Sequence, residues 1–358
     1  MPTNYKSVNK LKVAEDLLSF INNELLNDTE INQEKFWIGF SEAVHNLAPK
    51  NKELVKTREK LQKEIDRWHI KNKGKKIKIE KYKKFLKEIG YLKSEGRNFK
   101  IETDNVDDEI TKIAGPQLVV PIMNARYTLN AANARWVSLY DSLYGTNIIE
   151  SDEGGSERYD PLRGQEVIKY VREFFDKHIP IEGTSWKNIA SLKVVNNDLT
   201  ICKDDYEYKL KHKNKFIGHR GDANKPSAII IKNNNLHFEI IINPKAFSAA
   251  HDIAGISDVI IESAVSTICD NEDSVAAVDS VDKIACYRNW LGLMKGSLKT
   301  QFEKNGKNLE RKLNPDRSYI SKDGKGLKLH GRSLLLIRNV GHLMTNPSII
   351  LKDGSEIP

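Results

Sequence analysis

Residues 115–145 read GPQLVVPIMNARYTLNAANARWVSLYDSLYG, and their texture decides the fold class. Gly115-Pro116 breaks the chain ahead of a short apolar run, Leu118 to Met123. Such a run bounded by breakers suits a strand buried on both faces, as in parallel sheets. The Ala- and Asn-rich stretch 128–145 follows with helical spacing and ends at Gly145, a residue well suited to helix ends. Strand followed by helix is the repeating unit of an α/β fold.

Toward the N-terminus, residues 11–100 read as helical. Ala14, Leu17, Leu18, Ile21 and Leu25 recur at helical spacing. A second apolar stripe lies in EKFWIGFSEAVHNL (34–47), and a charged helix is expected over 52–69. The Lys-rich stretch 71–92 contains Lys75, Lys76, Lys78, Lys81, Lys83 and Lys84. Residues 51–100 hold 18 Lys/Arg against 7 Asp/Glu, an excess larger than the net charge of +8, so the rest of the chain is net acidic. A nucleic-acid patch is one reading of this segment. The interleaved Glu80, Glu88, Phe85, Leu86 and Ile89 favour the other, a solvated helix face.

Toward the C-terminus the texture changes. Residues 150–163 are polar and turn-rich, and GQEVIKYVREFFDKH (164–178) is expected to be a helix. SLKVV and LTICK then flank Asn196-Asn197, and SAIIIK and LHFEIII flank Asn233, Asn234 and Asn235. Asn tolerates positive φ, so both read as β-hairpins. Hairpins do not belong inside a parallel sheet, so 146–255 reads as an inserted β-rich domain. A helix is expected at GISDVIIESAVSTI (255–268), a short strand at STIC, a helix over 281–295, and a hairpin-like excursion over 307–331. SLLLIRNVGHLM (333–344) holds a second clean apolar strand.

The 358 residues are 39% hydrophobic and 30% charged, an ordinary globular composition. No apolar run reaches the ~18 residues a membrane helix needs. The N-terminus lacks the apolar core and small-residue cleavage site of a secretory signal. Cys202, Cys269 and Cys286 are widely spaced, which suits reduced thiols in the cytoplasm and implies neither a disulfide framework nor a zinc site.

In parallel α/β folds chemistry collects at the carboxyl ends of strands. Asn124, Arg126 and Tyr127 follow the first strand, Asp270, Glu272, Asp273 and Ser274 follow STIC, and Arg338, Asn339 and His342 follow SLLLI. An Arg emerging from an apolar strand needs an anion or a carboxylate to meet it. Arg338 therefore suits either an anionic ligand or a structural ion pair. The acidic cluster suits either a site or a helix N-terminus, and His342 reads as a packed histidine. There is no P-loop, GxGxxG, GxSxG or HExxH pattern.

AGPQLVVPIMNARYTLNAANARWVSLYDSLYGT (114–146), CDNEDSVAAVDSVDKIACYRNWLGLMKG (269–296), RKLNPDR (311–317) and GRSLLLIRNVGHLMTNP (331–347) closely resemble malate synthase in its long bacterial isoform G. The resemblance runs collinearly from FWIGFSEAVHNLAP to DGSEIP. It implies an α/β architecture in several parts. A helical clasp is expected at 1–114. An incomplete TIM (β/α)8 barrel occupies segments 115–145, 256–306 and 333–358, an inserted α/β domain 146–255, and an excursion of that domain 307–332. The rest of the barrel and a C-terminal helical domain are expected beyond residue 358.

The resemblance also implies an acyltransferase that condenses acetyl-CoA with glyoxylate and water to give malate and CoA, in the glyoxylate shunt. It implies a cytoplasmic monomer that uses Mg²⁺ and neither nucleic acid nor membrane as a partner. By matching motif, Val119, Arg126, Tyr127, Ser274 and Arg311 correspond to acetyl-CoA contacts and Arg338 to the catalytic arginine. Asp270 and Glu272 fall beside the substrate and metal. The metal ligands and the catalytic aspartate base are expected beyond residue 358, so the chain alone is expected to be inactive. The alternative is a non-catalytic CoA-binding remnant of a truncated gene.

Overall fold

In the computed structural model, residues 4–150, 159–304 and 306–358 are described. The expected loop over 150–163 therefore lies largely outside the described residues. The chain divides into two units. One comprises Met1–Asn105, Asn271–Leu291 and Arg338–Pro358, and the other Val106–Asp270 and Gly292–Ile337.

The first unit begins with a hairpin, Tyr5–Val8 against Leu11–Ala14, turned at Asn9 with φ 52°. Strand Asn346–Leu351 pairs antiparallel with Leu11–Ala14 and carries Glu356–Ile357 on its other side. The stripe read as one helix from Ala14 is thus a strand end, a short helix Glu15–Phe20 and a π-turn Ile21–Leu25. Its apolar residues still share one core. Leu11, Val13, Leu17, Phe20, Trp37 and Ile349 pack together there, and the Trp37 indole N–H donates to Asn22 Oδ1 at 2.9 Å.

Helix Gln33–Lys71 starts at Asn32, whose side chain accepts from Lys35 N. The apolar stripe and the charged helix expected as two elements are this one 39-residue helix, with Pro49 inside it. The described first half of the chain is therefore mostly helical but opens on a hairpin. After a turn, the Lys-rich stretch forms helix Ile79–Glu88, which buries Leu86. Its Phe85 stacks on Trp68 and its Tyr82 packs tilted against the same ring, while the lysines stand outward.

The second unit contains a three-stranded sheet in the order Leu334–Arg338, Ser266–Asp270, Gln117–Pro121. The last two strands are parallel, with Cys269 opposite Val120 and Asp270 opposite Pro121. The strand read from QLVVPIM exists, but burial on both faces does not hold for the described residues. Val120 and Ile122 are buried while Val119 is exposed, so the run alternates, and helix Ala125–Asn133 covers one side with Thr128, Leu129 and Ala132.

That helix is shorter than expected. The chain leaves it at Ala134, forms strand Trp136–Ser138 and re-enters a helix at Leu139–Tyr144. The break has two visible causes. Arg135 is drawn into buried ion pairs with Glu109 and Glu262, and the Ser138 hydroxyl caps the next helix by accepting from Asp141 N at 2.9 Å.

A seven-stranded sheet runs in the order Gly326–Leu329, Arg317–Ser321, Phe216–Gly221, Pro226–Asn233, Leu236–Ile242, Ile256–Glu262, Trp136–Ser138. Its core with helix Pro161–His178 includes Val171, Phe175, Trp186, Ile229, Ile240 and Val259. Both hairpins read from Asn pairs are present. Asn196 and Asn197 have φ of 51° and 62°, and Asn234 and Asn235 of 50° and 64°.

The helix expected over 255–268 is instead two strands, Ile256–Glu262 and Ser266–Asp270. Ile256, Val259, Ile260 and Ile261 are β-branched, and the pleated half-buried surface between two neighbouring strands favours them. Helix Ser280–Lys295 matches the expectation. The hairpin Lys299–Lys304 against Lys307–Lys312 begins before the excursion expected at 307. No helix of the described residues is long and apolar enough to cross a membrane.

Candidate functional site

The candidate residues fall into two groups, one in each unit. In the second unit, Asn124 caps helix Ala125–Asn133 by accepting from Tyr127 N at 3.1 Å. The cap sets Arg126 and Tyr127 in the helix's first turn, directly after the strand that carries Val119. All three are exposed. Arg311 comes from the hairpin at 299–312, where it pairs with Thr300.

Phe302 brings the two arginines together. The Arg126 guanidinium carbon lies 4.6 Å from the Phe302 ring centroid and that of Arg311 lies 5.4 Å from it. Both distances are within cation–π range. A second tie joins the same two elements, since Asn133 Nδ2 donates to the Lys312 carbonyl and Asn133 Oδ1 accepts from Asn314 N, each at 2.8 Å. Arg126 and Arg311 were singled out in the sequence by motif. Phe302 was not, because its role rests on hairpin pairing that residue order does not show.

Asp270 ends the central strand of the three-stranded sheet and is fully buried, its carbonyl accepting from Ile122 N at 3.1 Å. The Cys269 thiol beside it is pushed up to about 12 by burial, so it stays protonated and unreactive.

In the first unit, Arg338 ends its strand with Nε 3.4 Å from Glu272 Oε2 and Nη2 3.2 Å from Asp273 Oδ2. The Arg338 carbonyl accepts from Asn271 N at 2.8 Å, so backbone as well as side chain ties it to this acidic turn. The carboxylate that an arginine leaving an apolar strand needs is thus supplied by the segment after STIC. Asp273 was not singled out for this by sequence reasoning. The Arg338 side chain remains 37% exposed, so the pair orients the fork and is screened by water. Ser274 is exposed in the same turn. His342 is exposed too, and its carbonyl accepts from Asn51 Nδ2 at 2.7 Å.

Among the described residues no group of three or more His, Cys, Asp or Glu side chains could hold a metal ion. Glu272 and Asp273 face a guanidinium, and the described residues do not fit a Mg²⁺ centre.

Two segments of the chain, neither of which contains these arginines, match malate synthase domains. Residues 16–77 match the malate synthase N-terminal domain, and residues 159–233 match the malate synthase G alpha-beta insertion domain. The chain is 47% identical over 349 residues to malate synthase G of Corynebacterium glutamicum, covering 97% of this chain and 47% of that one. It is 46% identical to malate synthase G of Halalkalibacterium halodurans over 99% of this chain and 49% of that one. The malate synthase G of Corynebacterium efficiens is likewise 46% identical, over 98% of this chain and 47% of its own length. Along nearly its whole length the chain is similar to malate synthases G, and it spans about half the length of the curated relatives it matches.

Proposed function

We propose that the chain supplies the acetyl-CoA-binding residues and the catalytic arginine of a malate synthase, which joins acetyl-CoA to glyoxylate and releases malate and CoA. The observation that carries this is identity of 46–47% to malate synthases G over 97–99% of the chain. In this reading the strands at 117–121, 266–270 and 334–338 belong to a (β/α)8 barrel. The protein is a monomer in the cytoplasm, which its three free cysteines suit.

Each residue's task follows from its chemistry. Arg126 and Arg311 meet the phosphates of acetyl-CoA, because a guanidinium fork matches phosphate oxygens and keeps its charge. Val119, Tyr127 and Ser274 contact the same ligand. When a base removes a proton from the acetyl methyl group, negative charge develops on the thioester oxygen. Arg338 stabilises that enolate as a fixed, oriented cation, and Glu272 keeps its fork in place. Asp270 stands at the end of a strand of the same fold. The enolate carbon bonds to the glyoxylate aldehyde carbon, the resulting alkoxide takes up a proton, and water hydrolyses the malyl thioester to malate and CoA, which drives the reaction forward. Mg²⁺, which the resemblance implies, would polarise the glyoxylate aldehyde.

The test is glyoxylate-dependent thiol release from acetyl-CoA by the protein that carries this chain. Arg338→Gln is expected to lower kcat by about 10²–10³, the usual loss on removing a charge-stabilising donor, with acetyl-CoA affinity within about threefold of wild type. Unchanged kcat in Arg338→Gln, or no glyoxylate-dependent thiol release at all, would contradict the reading.

A further inference from the structure

We propose that Phe302 is a positioning residue that holds Arg126 and Arg311 together as one phosphate-binding pair. The proposal rests on the reading that the ligand is acetyl-CoA and extends it to a residue outside the matched motifs. The geometry lies within the second unit. In the hairpin Phe302 pairs with Leu309 and Thr300 with Arg311. Side chains two apart on a strand share a face, so Phe302 and Arg311 are diagonal cross-strand neighbours on one face of the hairpin. Arg126 reaches the same ring from the first turn of helix Ala125–Asn133.

The physical problem the ring solves is repulsion. Two guanidinium groups drawn to one spot repel each other, and long side chains lose rotamer freedom when fixed. The negative face of a phenyl ring offsets part of that charge, and a planar guanidinium stacks on it. Among the described residues neither arginine has a carboxylate partner, so the pair keeps its positive charge for a ligand. Ordering both cations before a polyphosphate arrives removes a cost otherwise charged to binding. A leucine at 302 would fill similar space but offer no quadrupole.

The experiment is acetyl-CoA titration, followed by calorimetry, of the protein that carries this chain, with Phe302→Leu, Phe302→Tyr, Arg126→Gln and the double substitution Phe302→Leu/Arg126→Gln. The expected result is wild-type binding, weakened about tenfold by Phe302→Leu, the size that two partly exposed ring–cation contacts imply. Phe302→Tyr keeps the ring face and stays within about twofold of wild type. In the Arg126→Gln background, Phe302→Leu costs only about threefold, because the two positions share one interaction. Wild-type affinity in Phe302→Leu overturns the proposal. A full tenfold loss in the Arg126→Gln background, or no recovery with tyrosine, also overturns it, since a merely structural role for the side chain gives those results. If the wild-type chain binds no acetyl-CoA, the reading of the ligand fails and the proposal with it. If wild type binds and Arg126→Gln weakens binding but Phe302→Leu does not, only the role of the ring falls.

Discussion

Arg338 carries a charge that an apolar strand must find a partner for. It leaves an apolar strand and meets Glu272 and Asp273 within one turn. Because the pair is part-exposed, its value lies in aiming the fork more than in stability. Glu272→Gln is therefore expected to leave the thermal midpoint within about 2 °C of wild type, as screened surface pairs imply, while lowering the rate of acetyl-CoA turnover several-fold. Calorimetry and a thiol-release assay on the same preparation check both halves. The cysteines give a second residue-scale prediction. Burial raises Cys269 to about 12 and also pushes Cys286 up, whereas Cys202 is only half-buried. Iodoacetamide at pH 8 should label Cys202 first in the folded protein, with Cys269 and Cys286 modified only after denaturation, as peptide mass spectrometry would show. Arg338 was legible because charge inside an apolar run is rare. Phe302 was not, since KTQFEK alternates like any half-exposed strand and says nothing of what crosses the hairpin.

At the scale of elements, the turns were the most legible features. Asn196-Asn197 and Asn234-Asn235 all take positive φ, the conformation a two-residue hairpin needs and that asparagine tolerates. Asn197→Ala should destabilise the protein by about 1–2 kcal/mol, the penalty of a left-handed residue with a Cβ, while Asn197→Gly should cost nothing measurable. Urea midpoints at constant slope decide between these outcomes. Two of the misread elements show their physical reasons plainly. The run 255–268 holds apolar residues at spacings that fit either a helix or a pair of strands, and neighbouring strands on both sides of Ile256–Glu262 settle the choice. The stretch 128–145 looks like one helix until Arg135 is pulled into pairs with Glu109 and Glu262, partners far away in residue number.

At the scale of the molecule, that buried cluster ties distant parts of the second unit together. Arg135 Nε donates to Glu262 at 2.8 Å, and Glu109 accepts from Nη1 at 2.6 Å. His237 Nδ1 lies 2.6 Å from the other Glu262 oxygen. Burial alone would raise Glu262, but the His237 hydrogen bond and the Arg135 charge outweigh it and hold the carboxyl below its usual range. A carboxylate depressed in the folded state contributes stability above its unfolded value near ~4.3 and loses it as pH falls through the lower folded value. Glu262→Gln should then cost about 3 kcal/mol at neutral pH, as loss of one partner from a buried pair does, and the gap from wild type should shrink below about pH 4. Chemical unfolding at the two pH values would check the sign.

The proposed acetyl-CoA site rests on Arg126 and Arg311. The most direct measurement is a calorimetric titration of the wild-type protein that carries this chain, and of its Arg126→Gln/Arg311→Gln variant, with acetyl-CoA at two salt concentrations. The account predicts saturable wild-type binding that weakens with salt, as phosphate contacts require, and a loss of about a hundredfold when both arginines go, each charge-assisted contact contributing about tenfold. Wild-type binding that is absent, or that survives removal of both arginines, would contradict it.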